Sequence, residues 1–379
     1  MKILHLADLH IGKRVNEFSM LADQEYVLRQ ILAAAAAEKP QAVLLCGDIY
    51  DKPQPPAEAV QLFDRFLTEL AEVCPAVLII PGNHDSAERL SFAADILKRQ
   101  GVYLAAPFTD SVPRVRLNDE FGAVDFWLLP YVKPVQVRRC YEDAADITTY
   151  DEAIARIMQE VHPEPGIRAV LLAHQLLTGA QTCESEELAI GGQDNVSAGR
   201  FGAFCYVALG HLHQAQQVER PEIRYAGSPL KYSFSEARHK KSITLVNLAA
   251  DGRAEVSLLP LAPLHDMREL KGSFAELVKG EASEDYLHIT LTDEEDILDA
   301  TARLRQVYPN LMKLDYDNRR TGERRKSVGA AVTGKSPLEL FAEFYKLQNN
   351  QPLKDEQSAL LAQLIEEIWE DAPKGGAAL

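Results

Sequence analysis

At 379 residues and 46% hydrophobic content, the chain can fill at least one large core and leave material for smaller appendages. Its net charge of −16 argues against a free-standing nucleic-acid binder, because phosphate neutralisation needs clustered Lys and Arg, unless bound cations or a partner surface reverse the local field. Five scattered cysteines (Cys46, Cys74, Cys140, Cys183, Cys205) exclude a disulfide framework and a zinc ribbon, and no apolar run has signal-sequence or membrane-span length, so a soluble cytoplasmic protein is expected.

Short apolar runs at Ile3–Leu6, Val43–Cys46, Val77–Ile80, Phe126–Leu129, Val170–Ala173 and Tyr206–Leu209 read as buried strands. Gln24–Glu38, closed by Pro40, and Ala57–Glu72, with Val60, Phe63, Leu67 and Leu70 at helical spacing, read as amphipathic helices. This alternation predicts a layered α/β domain over 1–261. Ile243–Leu248 and Ala254–Leu259 flank Asp251-Gly252, a hairpin signal that ends the domain in antiparallel sheet. After Pro260 and Pro263 a small α/β unit is expected over 262–317. Its strands lie near Met267–Leu270, Tyr286–Thr292 and Leu311–Tyr316, and its helices near Phe274–Lys279 and Ile297–Val307. Residues 318–335 set six cations (Arg319, Arg320, Arg324, Arg325, Lys326, Lys335) against Glu323 alone, a local +5 that reads as a flexible basic linker. Order resumes over 336–379. Ser336-Pro337-Leu338-Glu339 offers an N-cap Ser, Pro at the first helical position and a Glu three residues after the cap. A second helix after Pro352 sets Leu361, Leu364, Ile365 and Ile368 on one stripe with Trp369 beside it.

Every polar motif of interest follows one of the apolar runs, which places it on loops at the carboxyl ends of strands, where open α/β sheets build their sites. Asp8-Leu9-His10 follows the first run, Gly47-Asp48-Ile49-Tyr50-Asp51 the second and Gly82-Asn83-His84-Asp85 the third. His174 and Gly210-His211-Leu212-His213 close two later ones. Taken singly, each has an ordinary reading: a surface D-x-H, a turn with a capping Asp, a satisfied core histidine. Five in succession, all at strand ends, point to one pocket. Its mixed oxygen and nitrogen donors, without thiolate, suit Mn²⁺, Fe²⁺ or Zn²⁺, and a bridging carboxylate would allow a two-metal site for in-line attack at phosphorus.

The order D-x-H, G-D-x-x-D, G-N-H-D, H, G-H-x-H resembles the calcineurin-like metallophosphoesterase superfamily, whose fold is a sandwich of two mixed sheets flanked by helices. Ile3-Leu4-His5-Leu6-Ala7-Asp8-Leu9-His10-Ile11-Gly12 and Tyr225-Ala226-Gly227-Ser228-Pro229-Leu230-Lys231-Tyr232-Ser233-Phe234-Ser235-Glu236 resemble, more narrowly, the SbcD-type nuclease subunits. That resemblance covers nearly the whole chain. It implies that Asp8, His10, Asp48 and His213 hold one ion and that Asp48, Asn83, His174 and His211 hold the other, Asp48 bridging, with Mn²⁺ the expected metal. His84 would contact the phosphate as general acid or charge stabiliser, and Asp51 would orient it. Asp85 is a supporting carboxylate or a helix cap, with the cap slightly favoured.

What the resemblance further implies is hydrolysis of DNA phosphodiesters by two-metal in-line attack of hydroxide, as a 3′–5′ exonuclease and single-strand or hairpin endonuclease in DNA repair, recombination and replication. The expected partners are DNA, an SbcC-type ATPase docked by the helical tail, and a second copy in a homodimer within a heterotetramer, with no membrane. Residues 262–317 would cap the DNA path. A phosphatase or small-molecule phosphodiesterase is the alternative that the metal motifs alone permit, and a non-catalytic scaffold is a third reading that the complete donor set disfavours.

Overall fold

The structure is a computed structural model and describes residues 1–186, 194–317, 336–349 and 351–371. The predicted basic linker, 318–335, therefore lies outside the described residues.

Two six-stranded mixed sheets face each other. In the first the order is Ala254–Pro260, Ser242–Leu248, Lys2–Leu6, Ala42–Cys46, Val77–Ile80 and Val102–Leu104. The four strands from Lys2–Leu6 outward are parallel, and the Ser242–Leu248/Ala254–Pro260 hairpin joins antiparallel at the edge, as the Asp251-Gly252 turn predicts. In the second the order is Gln216–Val218, Arg220–Tyr225, Tyr206–Gly210, Arg168–His174, Gly122–Leu128 and Arg114–Asp119, with a parallel centre and antiparallel edges. Ile3, Leu44, Leu78 and Val246 of the first sheet meet Phe126, Val170, Leu172 and Ala208 of the second in a core without solvent exposure. Strands buried on both faces read as continuous apolar runs rather than alternating ones, which is why these segments stand out in the sequence.

Helices Leu21–Glu38 and Ala57–Val73 cover the outer face of the first sheet. In Ala57–Val73 the buried face is Ala59, Leu62, Phe63, Phe66 and Leu70. Four large side chains among these contribute about 6 to 12 kcal/mol of apolar burial. The expected stripe is thus rotated: Val60 is 43% exposed, because Leu62 and Phe66 take the core side. Helices Pro134–Cys140 and Tyr150–Met158 cover the second sheet. The layering is α/β/β/α, the mixed-sheet sandwich expected.

A three-stranded parallel sheet of Met267–Gly272, Tyr286–Leu291 and Leu311–Tyr316 follows, with short helices Phe274–Leu277 and Ala300–Leu304 around its own core of Phe274, Leu287, Ile289, Leu304 and Tyr308. Both helices are shorter than their sequence patterns predict. A clasp ties this unit to the main one. The buried Asp23 carboxylate accepts from His265 N at 3.0 Å and from Tyr286 OH at 2.7 Å, with His265 Nδ1 at 3.1 Å.

The tail forms helices Pro337–Asn349 and Asp355–Asp371. Ser336 caps the first as predicted: its Oγ accepts from Glu339 N at 3.3 Å, and its own N donates to Glu339 Oε2 at 2.7 Å. The two helices contact each other, but none of their described apolar side chains joins the four hydrophobic cores found among the described residues. Phe341, Phe344, Leu360 and Leu364 are exposed.

Candidate metal centre

Register explains why the five motifs meet. Leu6 pairs with Leu45 and Cys46 with Ile80 in the first sheet, while His174 pairs with Gly210 in the second, so the strands end together within each sheet, and the Asp8 carboxylate bound to His211 N joins the two sets of ends. The loops leaving them are strained. Asp8 (φ 55°), His10 (φ 45°), Asp48 (φ 51°) and His211 (φ 105°) are four of ten non-glycine residues with positive φ among the described ones. Such conformations cost about 1 to 3 kcal/mol each and persist where surrounding contacts over-determine them. Those contacts are visible: both oxygens of Asp8 accept from His211 N, at 2.9 and 3.2 Å, and Asp8 N donates to Gly47 O at 3.0 Å. Glycine is required where loops touch. A Cβ on Gly47 would collide with the His174 ring, and one on Gly82 with the Asp48 carboxylate.

The seven expected donors come together. His10 Nε2 lies 3.1 Å from His213 Nε2, and Asp8 joins both within 4.8 Å. Asn83 Oδ1 lies 3.1 Å from His174 Nε2 and 3.0 Å from His211 Nδ1. Between the two groups stands Asp48. Its Oδ1 is taken by His84 N at 2.8 Å, while Oδ2 lies 3.7 Å from His10 Nε2 and 3.3 Å from His174 Nε2. Oδ2 thus faces both groups.

These donors fit cations better than they fit each other. His174 Nδ1 is 2.8 Å from Cys46 O, and since a carbonyl only accepts, the ring proton sits on Nδ1. Nε2 then faces Asn83 Oδ1 and Asp48 Oδ2, where a bare lone pair would be repelled, so the position calls for a positive charge, a second ring proton or an ion in its place. Separations of 3.0 to 3.7 Å are those of ligands sharing one ion; at metal–ligand distances of about 2.1 Å, donors at right angles stand about 3.0 Å apart. The protonation equilibria agree. Burial works against a charged His174, yet the Asp48 and Asp8 carboxylates overcome it and hold the imidazole up to about 9. Burial keeps His10 and His211 neutral, the ligand form.

His84 faces the same space, with Nε2 4.0 Å from Asp48 Oδ2. Its Nδ1 is 2.9 Å from the main-chain oxygen of Asp51, the residue expected to orient it, so this contact runs through the Asp51 carbonyl. The Asp51 carboxylate accepts from Lys13 Nζ at 2.6 Å. The preference for Asp85 as a helix cap is corrected. Ser86 occupies the cap, and Asp85 accepts from Gly82 N (2.9 Å), Tyr50 N (3.0 Å) and Ile49 N (3.1 Å), stitching the second loop to the third. His5, close to Asp8 in sequence, is a satisfied core histidine between Tyr206 OH and Leu209 O.

Sequence reasoning missed the groups behind the donors. Gln24 donates to His10 O at 2.7 Å and accepts from Gly12 N at 3.0 Å, shaping the first loop from the start of helix Leu21–Glu38. Tyr232 OH donates to Leu9 O. Glu236, fully buried, faces His213 Nδ1; burial opposes its charge, and Lys241 beside it more than compensates, holding the carboxyl well below its usual range. A groove of about 760 Å³ runs from Lys13, Ser185 and Tyr232 beside the centre to Glu269, His288, Lys313 and Asp315 of the small unit. No helix among the described residues is long and apolar enough to cross a membrane.

Among solved structures, the protein TT1561 of Thermus thermophilus is similar at 12% identity over 68% of this chain and 98% of that one, with a TM-score of 0.38. A dimetal phosphatase from Danio rerio matches at 10% identity over 69% and 96%, with a TM-score of 0.39. A cold-active protein-tyrosine phosphatase of a psychrophilic Shewanella matches at 10% over 67% and 80%, with a TM-score of 0.28. Residues 263–349 match the SbcD C-terminal domain family, described as the type 5 capsule protein repressor C-terminal domain. Residues 1–215, more than half of the sequence and the whole span from Asp8 to His213, match the calcineurin-like phosphoesterase family, and to that family the chain belongs.

Proposed function

We propose that the chain is a Mn²⁺-dependent DNA nuclease, the catalytic subunit of an SbcCD-like complex in DNA repair and recombination. The observation that carries a two-ion hydrolase is Asp48 Oδ2 standing between His10 and His174. In this reading Asp8, His10, Asp48 and His213 hold one ion and Asp48, Asn83, His174 and His211 the other. When bound, such a pair supplies Lewis acidity at the phosphoryl group and makes a nucleophile available from water near neutral pH. His84, donating from Nδ1 to the Asp51 carbonyl, has an Nε2 proton to give only as imidazolium. In that form it serves as general acid or positive charge beside the departing oxygen. Lys13, steered by Asp51, adds charge at the mouth of the groove.

The match over 263–349 and the groove that continues onto residues 262–317 favour a polymeric substrate, with that unit as its cap. The tail helices, whose described apolar side chains join none of the cores and leave Phe341, Phe344, Leu360 and Leu364 exposed, favour docking on an SbcC-type ATPase in a helix-in-groove manner. The exposed Phe92 (81%), Ile96 (67%) and Val60 (43%), beside a groove of about 510 Å³, favour a homodimer. The net charge of −16 is the observation on the side of a small-molecule phosphodiesterase. Cleavage of single-stranded, hairpin and blunt DNA with Mn²⁺, with and without the partner ATPase, separates the two. The nuclease reading expects weak DNA binding by the isolated chain, tighter binding with the ATPase and a steep fall with salt. Robust hydrolysis of a small diester with no DNA cleavage under any of these conditions would replace it with the phosphodiesterase.

A further inference from the structure

Tyr225 to Glu236 is the stretch that most narrows the sequence resemblance, yet none of its residues supplies an expected metal donor. Its last residue sits directly behind one. Glu236 has no solvent exposure. Its Oε1 accepts from Ser185 Oγ at 2.6 Å and from Tyr232 N at 3.1 Å, and lies 3.2 Å from His213 Nδ1. Its Oε2 accepts from Lys241 Nζ, which also donates to His213 O and to Ser228 Oγ, both at 2.8 Å. Glu236 and Lys241 therefore grip the ring and the main chain of the same histidine. Ser185 Oγ, 3.0 Å from Nδ1, completes the cage.

We infer that Glu236 is a positioning residue that fixes His213 as the Nδ1–H tautomer, with its Nε2 lone pair aimed at the ion shared with Asp8 and His10. A carboxylate accepts and never donates, so the proton facing it belongs on Nδ1. Nε2 is left free 3.1 Å from His10 Nε2. Carboxylate partners of ligating histidines fix the ring and raise its basicity, and losing them costs about 10- to 100-fold in metal affinity. Lys241 does not draw this carboxylate off the imidazole, because it binds the other oxygen. The assignment extends the two-ion reading and rests on it.

Two measurements test it without recourse to catalysis. In the metal-free wild-type protein with ¹⁵N-labelled histidine, long-range proton–nitrogen correlation spectra should place the His213 proton on Nδ1; an Nε2–H tautomer would overturn the assignment. In Glu236→Gln/Lys241→Met, which removes both buried charges together, calorimetric titration with Mn²⁺ should show one of two binding events weakened about 10- to 100-fold and the other unmoved. Ser185→Ala should weaken that event less. An unchanged titration in the folded double variant, or an equal loss in Ser185→Ala alone, refutes the role of Glu236. Should the double variant fail to fold, the wild-type spectrum and the Ser185→Ala titration decide. A wild-type chain that takes up no Mn²⁺ would instead defeat the two-ion reading itself.

Discussion

Asp85 offers the sharpest test of how the centre is held, because it supplies no donor in the proposed ion sites yet binds the loops that do. Its two oxygens receive three main-chain N–H groups, from Ile49, Tyr50 and Gly82. Hydrogen bonds to a charged acceptor contribute about 1.5 to 3 kcal/mol each, and surface loops recover part of that from water, so Asp85→Ala should cost about 2 to 4 kcal/mol. Asp85→Asn is more informative. Its amide oxygen can keep Ile49 and Gly82, but its NH₂ then confronts Tyr50 N–H, one bond lost and two donors opposed, at about 1 to 3 kcal/mol. The effect on the ions should exceed the effect on the fold, since Ile49 follows Asp48 and Gly82 precedes Asn83. We expect Mn²⁺ affinity to fall about 10- to 100-fold in Asp85→Asn, read by calorimetry, beside a modest shift in the urea midpoint. Wild-type affinity in Asp85→Asn would show that the loops hold without this stitch.

Asp48→Ala should empty both ion sites, and anomalous scattering that finds one site fully occupied would contradict the bridging role. His84→Ala should retain most Mn²⁺ affinity while cleavage falls about 100-fold or more, the scale for an acid or charge-stabilising group; metal loss matching the activity loss would remove the distinction. Truncation before Ser336 should leave thermal stability and single-strand cleavage almost intact while abolishing co-purification with the ATPase. Unfolding of the catalytic unit on truncation, with no affinity of the full chain for that partner, would make the tail structural.

The metal motifs are legible in the sequence because each follows a strand buried on both faces, so an unbroken apolar run announces the strand and its end announces the loop. Boundaries fare worse where tertiary contacts set them. Helix Leu21–Glu38 begins three residues before the expected Gln24, since Met20 offers no capping side chain and the first turn is held from outside. Contacts between loops are the least legible. Asp85 lies 36 residues from Ile49, and nothing in either segment announces the other. Asp51 reaches His84 through its carbonyl, which every residue possesses. Glu236 was marked by a distinctive stretch, but its proximity to His213 depends on how that stretch returns across the sheet ends.

The lack of a cap at Met20 bears on any attempt to divide the protein. Two consecutive residues of that first turn look in different directions: Asp23 holds His265 and Tyr286 of the small unit, and Gln24 holds His10 O and Gly12 N. A chain cut near 261 would strip Asp23 of its donors and leave an uncapped turn free to fray, and Gln24 would loosen with it. Such a shortened protein would lose metal through slackening of the first loop, even if the missing unit never touches substrate. Cap deletion is thus a poor probe of DNA contact here; point changes on the groove side, at Lys313 or His288, leave the clasp whole and ask the question cleanly.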